Sequence, residues 1–518
     1  MNQVPGRLQT VARAAALPTL SGVLYFVSWI GFGVWPFAFV CFLPLLWALK
    51  DATPRQALKL GAWMGLVTHL GGYTWIIHLV QVFAFLPWPI AFVIYALLCG
   101  AQGFLFGAFA WALRRAQLAT GWRLWLLLPV ALCATEWLYP LIFQSYSGVS
   151  LMPLLPLVQI ADLGGALLLT ALQAVVNGGL ADLLVAGGTP PPPGRPRPSA
   201  LLPAAAVLLS LAAASAYGWS ALARQQVREK AATVRKTGIA QPNVGEVELH
   251  QNPQASVQTL QEQTAELHTR GAELVVWPEV GFNLHAVNVA LPQLGASISG
   301  GVPVSLVAGV PRGEPPRKFW NSAVIISPQG QIGDHYDKIN LLAFGEYIPF
   351  ADTFPILYQW SPMASPLNRG TTTAPLRDGK WLLAASICYE DILPWSVRET
   401  MRDHGQGRAH VMVNLTNDSW YGTGHEQEQH LMLAAVRSVE HRRWLARATS
   451  TGTSAFVDSM GRVVQRIDRN QRAVAVRPVP MLEGTTLYQL LGDWPGYLSA
   501  ALLLAIAART WWRGRPAA

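Results

Sequence analysis

Eight long apolar runs constrain what this 518-residue chain can fold into. A helix needs about 20 mostly apolar residues to cross the hydrocarbon core of a bilayer. Seven such runs precede residue 230 and an eighth closes the chain, so the sequence predicts eight spans. They lie near 11–29, 34–49, 59–79, 88–112, 123–141, 160–185, 200–222 and 491–508. The second run is short and the sixth contains Asp162, Asn177 and Asp182, so these two meet the criterion least well.

The composition agrees with a membrane protein. Charged residues make up 13% of the chain, about half of the roughly 25% that is usual in globular domains. The chain also has 21 tryptophans, a residue that favours membrane–water interfaces. A net charge of +9 would indicate nucleic acid as the partner of a soluble protein, but here the basic residues lie mostly in short loops beside apolar runs. We therefore expect contact with membrane lipid and no nucleic-acid partner.

The loops between the runs predict the orientation of the chain. Basic and uncharged loops alternate, from Arg7 at the N-terminus to Arg195 in the proline-rich linker. The positive-inside rule then places the N-terminus in the cytoplasm. We expect a seven-span domain at 1–225, a polar domain at 226–485 that faces the periplasm, and a last span with a cytoplasmic tail at 486–518. The location that follows is the inner membrane of a bacterium.

The polar domain has the alternation of an α/β fold, with short β-branched runs between helical patterns. The predicted strands are Thr233–Ala240, Glu273–Trp277, Ser305–Val310, Ala323–Ser327, Leu382–Ile387, His410–Asn414 and a closing hairpin of Ser454–Asp458 with Arg462–Ile467. The predicted helices are 253–270 and His425–Arg447. The sequence contains no glycine-rich phosphate loop and no HExxH or paired CxxC spacing, so we expect no metal and no cofactor.

Three polar residues each follow a β-like run, where α/β proteins tend to place their sites. They are Glu279, Lys338 and Cys388. Taken singly, Glu279 is more often a solvated strand end, Lys338 is more often part of a surface turn, and Cys388 is as often an inert buried thiol as a working one.

Taken together, the three residues have a common chemistry. A thiol near its ordinary pKa of about 8.5 is mostly protonated at neutral pH, so it needs a carboxylate to accept its proton. A neighbouring cation favours the thiolate. Lys338 and the backbone N–H of Tyr389 are suited to stabilise the oxyanion that forms when the thiolate attacks a carbonyl.

These residues and their motifs resemble the nitrilase, or carbon–nitrogen hydrolase, superfamily, whose members carry Glu, Lys and Cys in this order on an αββα sandwich. Beyond that domain, nearly the whole chain resembles the apolipoprotein N-acyltransferase family, in which seven N-terminal spans and one C-terminal span flank a nitrilase-like domain. The matching motifs are Trp277-Pro-Glu279, Lys338 with Phe344-Gly-Glu346-Tyr-Ile-Pro349, Ile387-Cys388-Tyr-Glu390 and Asn414-Leu-Thr-Asn417-Asp418-Ser-Trp420-Tyr-Gly422.

The resemblance implies a role for each matching position. Glu279 is then the general base, Lys338 the oxyanion cation and Cys388 the nucleophile. The supporting positions are Glu346, which orients the triad, Tyr389 and Glu390, which line the site, and the loop of Asn417 and Trp420, which closes the pocket. Arg437 and Glu440 are expected to anchor the following helix in the core. The chain departs from the family at Leu249-His250, where a Lys-Trp pair is often found.

The resemblance also implies a two-step acyl transfer. A phospholipid acylates Cys388, and the acyl chain then passes to the N-terminal amine of a diacylglyceryl-cysteine apolipoprotein; we expect a monomer. The apolar segment Phe350–Leu367, which contains Trp360, is either a lipid-facing arm over the site or ordinary packing, and the sequence favours neither. Two alternatives remain open at this point, a membrane-tethered amidohydrolase and a non-enzymatic receptor on a nitrilase fold.

Overall fold

The computed structural model describes residues 7–513 except 30, 188–198, 315–317, 349, 352, 355, 357–366 and 423. The chain forms two compact units. The first consists of Met1–Thr74, Phe92–Ala221 and Leu491–Ala518, and the second of Trp75–Ala91 and Leu222–Leu490. The second unit therefore contains a short N-terminal segment in addition to the polar part of the chain.

α-Helices form most of the first unit and part of the second. In chain order they are α1 (Arg7–Ser28), α2 (Leu43–Leu49), α3 (Pro54–Gly72), α4 (Ile76–Ala84), α5 (Trp88–Thr120), α6 (Leu124–Leu138), α7 (Leu155–Val158), α8 (Ala161–Gly187), α9 (Leu201–Ala231), α10 (Glu246–Gln251), α11 (Pro253–Thr269), α12 (Gly295–Ser299), α13 (Pro394–Thr400), α14 (Glu426–His441), α15 (Leu487–Leu491) and α16 (Trp494–Arg513).

Three helices among the described residues, α5, α8 and α9, are long and apolar enough to cross a membrane. Three further apolar helices, Ala15–Ser28, Trp35–Leu49 and Leu124–Leu138, are shorter. The first unit is thus an α-helical membrane domain, as the sequence predicted. The full count of eight spans stays a prediction.

Two of the predicted runs are interrupted. The run near 34–49 consists of a 3₁₀ helix at Trp35–Phe39 followed by α2. The run near 59–79 is divided, because α3 ends at the glycine pair Gly71 and Gly72 and α4 begins only at Ile76. Glycine is a poor helix former, which explains the position of this break.

Two six-stranded sheets form the centre of the second unit. The strands are β1 (Val234–Gln241), β2 (Leu274–Val276), β3 (Ser305–Glu314), β4 (Lys318–Ile326), β5 (Ile332–Asp337), β6 (Leu376–Asp378), β7 (Trp381–Ile387), β8 (Val411–Thr416), β9 (Leu445–Thr449), β10 (Ser454–Val457), β11 (Val463–Ile467) and β12 (Ala473–Pro480). One sheet has the order β12-β1-β2-β3-β4-β5 and the other the order β11-β10-β9-β8-β7-β6.

The period-2 alternation of each strand places apolar side chains on both faces of a sheet. In β2, Leu274 and Val276 join the core between the two sheets. Val275 points the other way and packs in a second cluster with Leu260 and Leu267 of α11. Helices therefore cover the outer face of this sheet, and α13 and α14 accompany the other sheet, which gives the predicted αββα sandwich.

Most of the predicted elements are confirmed, and one is partly wrong. The predicted helix His425–Arg447 ends at His441, because Arg442 adopts a left-handed conformation with φ of 53° and turns the chain into strand β9. The alternation of polar and apolar residues continues through this turn, which is why the sequence pattern did not reveal it. Strands β5, β6, β9 and β12 were not predicted.

Candidate active site

The thiol of Cys388 is buried at the start of a tight turn. Strand β7 ends at Ile387, and Cys388 opens the 3₁₀ turn Cys388–Ile392, which we call the nucleophile turn. The backbone of Cys388 is left-handed, with φ of 54°, a strained conformation for a residue with a side chain. Two contacts hold it: the Glu390 carboxylate accepts from Ile387 N–H at 3.0 Å, and Asn414 Nδ2 donates to the Cys388 carbonyl at 3.0 Å.

Lys338, which follows β5, is clamped between two glutamates. Its Nζ lies 3.1 Å from Glu279 Oε1 and 2.8 Å from Glu346 Oε1. Asn321 Nδ2 in β4 donates to the same Glu279 oxygen at 2.7 Å, and Asn417 N–H donates to Glu279 Oε2 at 3.0 Å. We call Glu279, Lys338, Glu346 and Asn321 the lysine cluster; the Lys338 ammonium and Glu279 Oε1 have partners within it, and Glu279 Oε2 is held by Asn417 from outside it.

The backbone of β3 positions Glu279. The segment after β2 passes so close to Gly309 that a Cβ there would lie 2.4 Å from the Pro278 carbonyl oxygen. Trp277, two residues before Glu279, is buried and donates its indole N–H to Thr264 Oγ1 of α11 at 2.8 Å. The backbone that carries Glu279 is therefore held by β3 and by α11.

The electrostatics of the site favour a neutral thiol and a retained lysine charge. Burial raises the pKa of Cys388 to about 12, the Glu279 charge adds to this, and the charges of Lys338 and His430 oppose it. Burial also raises the pKa of Glu279, with Glu346 adding to the effect and Lys338 opposing it. The pKa of Lys338 lies well above its ordinary value because Glu279 and Glu346 outweigh the effect of burial. Attack by Cys388 thus requires a base, and Glu279 has the raised pKa that suits one.

The supporting residues predicted from the sequence lie around this centre. Glu390 is fully buried and also accepts from the backbone N–H groups of Ile339 and Asn340, at 2.9 and 2.8 Å, so it ties the Lys338 loop to the nucleophile turn. Tyr389 donates its hydroxyl to the Leu341 carbonyl at 3.1 Å. The Lys338 Nζ lies 5.8 Å from the centroid of the Tyr389 ring.

The loop after β8 supplies the remaining predicted positions. The side chain of Asn417 accepts from Ser419 N–H, and Trp420 is half-buried in the 3₁₀ turn Asp418–Tyr421. Trp360 lies outside the described residues, as does most of the segment Phe350–Leu367. Arg437 and Glu440 are buried on α14 and form an ion pair of 2.9 Å with each other; their anchoring of this helix in the core stays a prediction.

Several residues near the site were missed by the sequence reasoning. Asn321 is a polar residue inside the largely apolar strand β4, and this contrast could have indicated a functional position. His430 and Arg447 lie in an amphipathic segment that was interpreted as one helix. Trp75 lies in a run interpreted as a span, yet its indole N–H donates to Gln429 Oε1 at 3.1 Å and its ring meets Tyr421 edge-on at 5.2 Å.

Comparison with known proteins places this chain in a family. A model described as "Apolipoprotein N-acyltransferase N-terminal domain" matches residues 21–179, and one described as "Carbon-nitrogen hydrolase" matches residues 236–485. The solved structure of an amidase from Nesterenkonia sp. is similar at 20% identity and a TM-score of 0.36, covering 48% of this chain and 91% of that one.

Relatives match over nearly the full length of the chain. An apolipoprotein N-acyltransferase of Geobacter metallireducens is 29% identical over 95% of this chain and 95% of its own. One of Gloeobacter violaceus is 30% identical over 95% of this chain and 85% of its own. The chain therefore belongs to the apolipoprotein N-acyltransferase family, and it is an enzyme of the acyltransferase class that joins a helical membrane domain to a nitrilase-type domain.

Proposed function

We propose that this enzyme N-acylates lipoproteins, taking the acyl chain from a phospholipid and passing it to the α-amine of an N-terminal diacylglyceryl-cysteine through a thioester on Cys388. The observation that carries the proposal is the lysine cluster beside the buried nucleophile turn. The cluster supplies a proton acceptor and a fixed cation, and the nucleophile turn supplies a thiol, all within a membrane protein. The names of the relatives support lipoproteins as the acceptor.

In the first step Glu279 accepts the thiol proton as the Cys388 sulfur attacks the ester carbonyl. The oxyanion is stabilised by Lys338 and by the backbone N–H of Tyr389. The tetrahedral intermediate collapses, the carbon–oxygen bond breaks, and the lysophospholipid leaves with the proton returned by Glu279. The acyl chain is then a thioester on Cys388.

In the second step the acceptor amine attacks the thioester carbonyl. Glu279 takes a proton from the amine, the carbon–sulfur bond breaks, and Glu279 returns this proton to the departing Cys388 sulfur. Glu346 holds Lys338 in place through both steps, and Glu390 fixes the nucleophile turn. The loop of Asn417 and Trp420 closes the pocket so that water does not hydrolyse the thioester.

The proposal includes the arrangement of the enzyme in its membrane. We place the seven-span part at 1–225, the catalytic domain at 226–485 on the periplasmic side of the inner membrane, and the last span at 486–518, with the enzyme acting as a monomer. Phe350, Phe354 and Ile356 are exposed, and in this arrangement these three side chains contact the lipid. A reporter fused at residue 240 tests the topology, and cytoplasmic activity of the reporter would contradict it.

Mass spectrometry of both substrates tests the reaction. Purified protein is incubated in detergent with a phospholipid, with and without a diacylglyceryl-cysteine peptide. We expect an acyl adduct on Cys388 when the peptide is omitted, and a peptide heavier by one acyl chain when it is present. Cys388→Ala abolishes both, whereas the matched control Cys99→Ala, at a buried cysteine of the membrane domain, abolishes neither. Release of free fatty acid without acylated peptide would contradict the transferase proposal.

A further inference from the structure

A second group of charged residues lies buried beside the nucleophile turn, apart from the lysine cluster. It consists of Asp391 in that turn, Asp418 after β8, Glu426 and His430 on α14, and Arg447 in β9, and we call it the histidine cluster. All five side chains are buried. The mechanism above assigns none of them a role, although burying five ionisable groups is costly unless they pair with one another.

The pairing within the histidine cluster centres on His430. Its Nε2 lies 2.8 Å from Asp391 Oδ1, and its Nδ1 lies 3.3 Å from Asp418 Oδ1 and 3.4 Å from Glu426 Oε1. Arg447 supplies the second cation: its two terminal nitrogens lie 2.8 Å from Asp391 Oδ2 and 3.0 Å from Asp418 Oδ2. Both oxygens of Asp391 are thus held, one by His430 and one by Arg447.

These contacts reach Cys388 by two routes through the structure. Asp391 belongs to the nucleophile turn, so His430 and Arg447 hold that turn at its fourth residue. Arg447 Nη1 also donates to Asn414 Oδ1 at 2.8 Å, and Asn414 Nδ2 donates to the Cys388 carbonyl. A residue at φ of 54° keeps its conformation only where its surroundings hold it at several points, and the histidine cluster supplies two of them.

The charge state of His430 follows from its neighbours. Burial and the nearby Arg447 act to lower its pKa, but Asp391 and Asp418 outweigh them and hold it well above the ordinary value. Burial raises the pKa of Glu426 to about 7, so this carboxyl is partly protonated at neutral pH. The two aspartates therefore favour the imidazolium form of His430, whose charge acts on Cys388 in the direction that favours the thiolate.

We propose that His430 is a positioning residue for acyl transfer. Held as an imidazolium between Asp391 and Asp418, it fixes the nucleophile turn, and its charge stabilises the Cys388 thiolate in addition to the charge of Lys338. The part of this inference that concerns acyl transfer rests on the proposed function. Its effect on the thiol is a property of the protein alone and is measurable without either lipid substrate.

The test is the pH dependence of Cys388 alkylation by iodoacetamide, followed on the Cys388 peptide by mass spectrometry in the full chain in detergent. His430→Gln removes the charge and keeps an amide that can donate to Asp391. Because a nearby charge typically shifts a pKa by one to three units, we expect the midpoint of alkylation to rise by about one pH unit. The alkylation rate at neutral pH then falls about tenfold.

His441→Gln is the matched control, since it makes the same substitution at another buried histidine of α14. His441 has arginines as its charged neighbours, which together with burial hold its pKa well below the ordinary value, so it carries no charge to remove. We expect its alkylation profile to match that of the unmodified protein. An unchanged midpoint in His430→Gln, or an equal shift in both variants, would overturn the inference.

A measurement on the unmodified protein covers the case in which His430→Gln does not fold. The pH profile of hydrogen exchange at the imidazole C2 atom, read by mass spectrometry, gives the titration midpoint of each histidine. We expect the midpoint of His430 above the ordinary value of about 6.5 and that of His441 below it. A midpoint of His430 at or below 6.5 would overturn the inference. Failure of the phospholipid assay with an intact alkylation shift would instead contradict the proposed function alone.

Discussion

Two buried clusters of charge meet at Cys388, and they differ in how their charges balance. In the lysine cluster one cation, Lys338, faces two glutamates, and burial raises the pKa of one of them, Glu279. In the histidine cluster two cations face the carboxylates. Although burial acts to raise the pKa of Asp418, Arg447 and His430 hold it below its ordinary value.

Because of this difference, the lysine cluster is suited to proton transfer and the histidine cluster to holding fixed charges. A carboxylate with a raised pKa accepts a proton at little cost, as a general base must. A carboxylate with a lowered pKa, paired with a buried arginine, resists protonation and serves as a fixed anion. We therefore expect substitutions in the lysine cluster to act mainly on the rate of acylation and those in the histidine cluster mainly on stability, while the charges of both clusters influence the titration of the thiol.

The largest effect is expected from Glu279→Gln. Glutamine keeps the shape of the side chain but accepts no proton, so acyl-enzyme formation should fall by about 10²–10⁴-fold. Single-turnover formation of the Cys388 adduct measures it. Glu273→Gln is the matched control, because Glu273 directly precedes β2 and Glu279 follows the same strand. This substitution should leave the rate unchanged. A loss of less than tenfold in Glu279→Gln would assign the base to another group.

The next effect concerns the histidine cluster. Asp418→Asn removes one of the two carboxylates that pair with buried Arg447, and breaking a buried pair typically costs 3–5 kcal/mol. We expect a loss of about 3 kcal/mol in the free energy of unfolding, near the lower limit because Asp391 still pairs with Arg447. Denaturation in detergent measures it, and the exposed Asp468→Asn should cost less than about 1 kcal/mol. If Asp418→Asn kept full stability but lost acylation, the two clusters would not differ as argued.

The sequence predicted the lysine cluster better than the histidine cluster, for a physical reason. Glu279 and Cys388 follow the apolar strands β2 and β7, and Lys338 follows β5, so each lies at the end of a strand, where α/β proteins tend to place their sites. His430 and Arg447 lie inside elements, and they reach Asp391 across 39 and 56 residues of chain. A polar residue on one face of a helix gives no indication of the partner that it meets after folding.

The limits of local patterns also appear at element boundaries. The helix predicted to run to Arg447 ends at His441, because the left-handed turn at Arg442 is set by the fold and an arginine is not a typical residue for it. The break after Gly72 was missed because the apolar composition continues through it. The placement of Trp75 against Tyr421 is likewise a tertiary contact that hydropathy does not encode.

The pH dependence of acylation sharpens the comparison, since it reports the pKa of Glu279. Below that pKa the base is protonated and the rate falls about tenfold for each pH unit. Because the pKa is raised, the fall begins at a higher pH than for an ordinary glutamate. Asn321→Ala removes a hydrogen bond that stabilises the ionised carboxylate, so the fall should move up by about one further pH unit. Asn368→Ala, which removes an amide that donates to the Phe319 carbonyl, is the control and should not move it.

The smallest effect is expected where α4 meets the 3₁₀ turn Asp418–Tyr421. Trp75→Phe keeps an aromatic ring beside Tyr421 but removes the indole N–H that bonds Gln429, the residue before His430. A single hydrogen bond of this kind contributes about 1 kcal/mol, so unfolding in detergent should shift by about that amount. The alkylation midpoint of Cys388 should stay unchanged, because no charge of the histidine cluster has been altered. A shift of that midpoint would mean that α4 helps to hold His430, and that the histidine cluster extends to the N-terminal segment of the second unit.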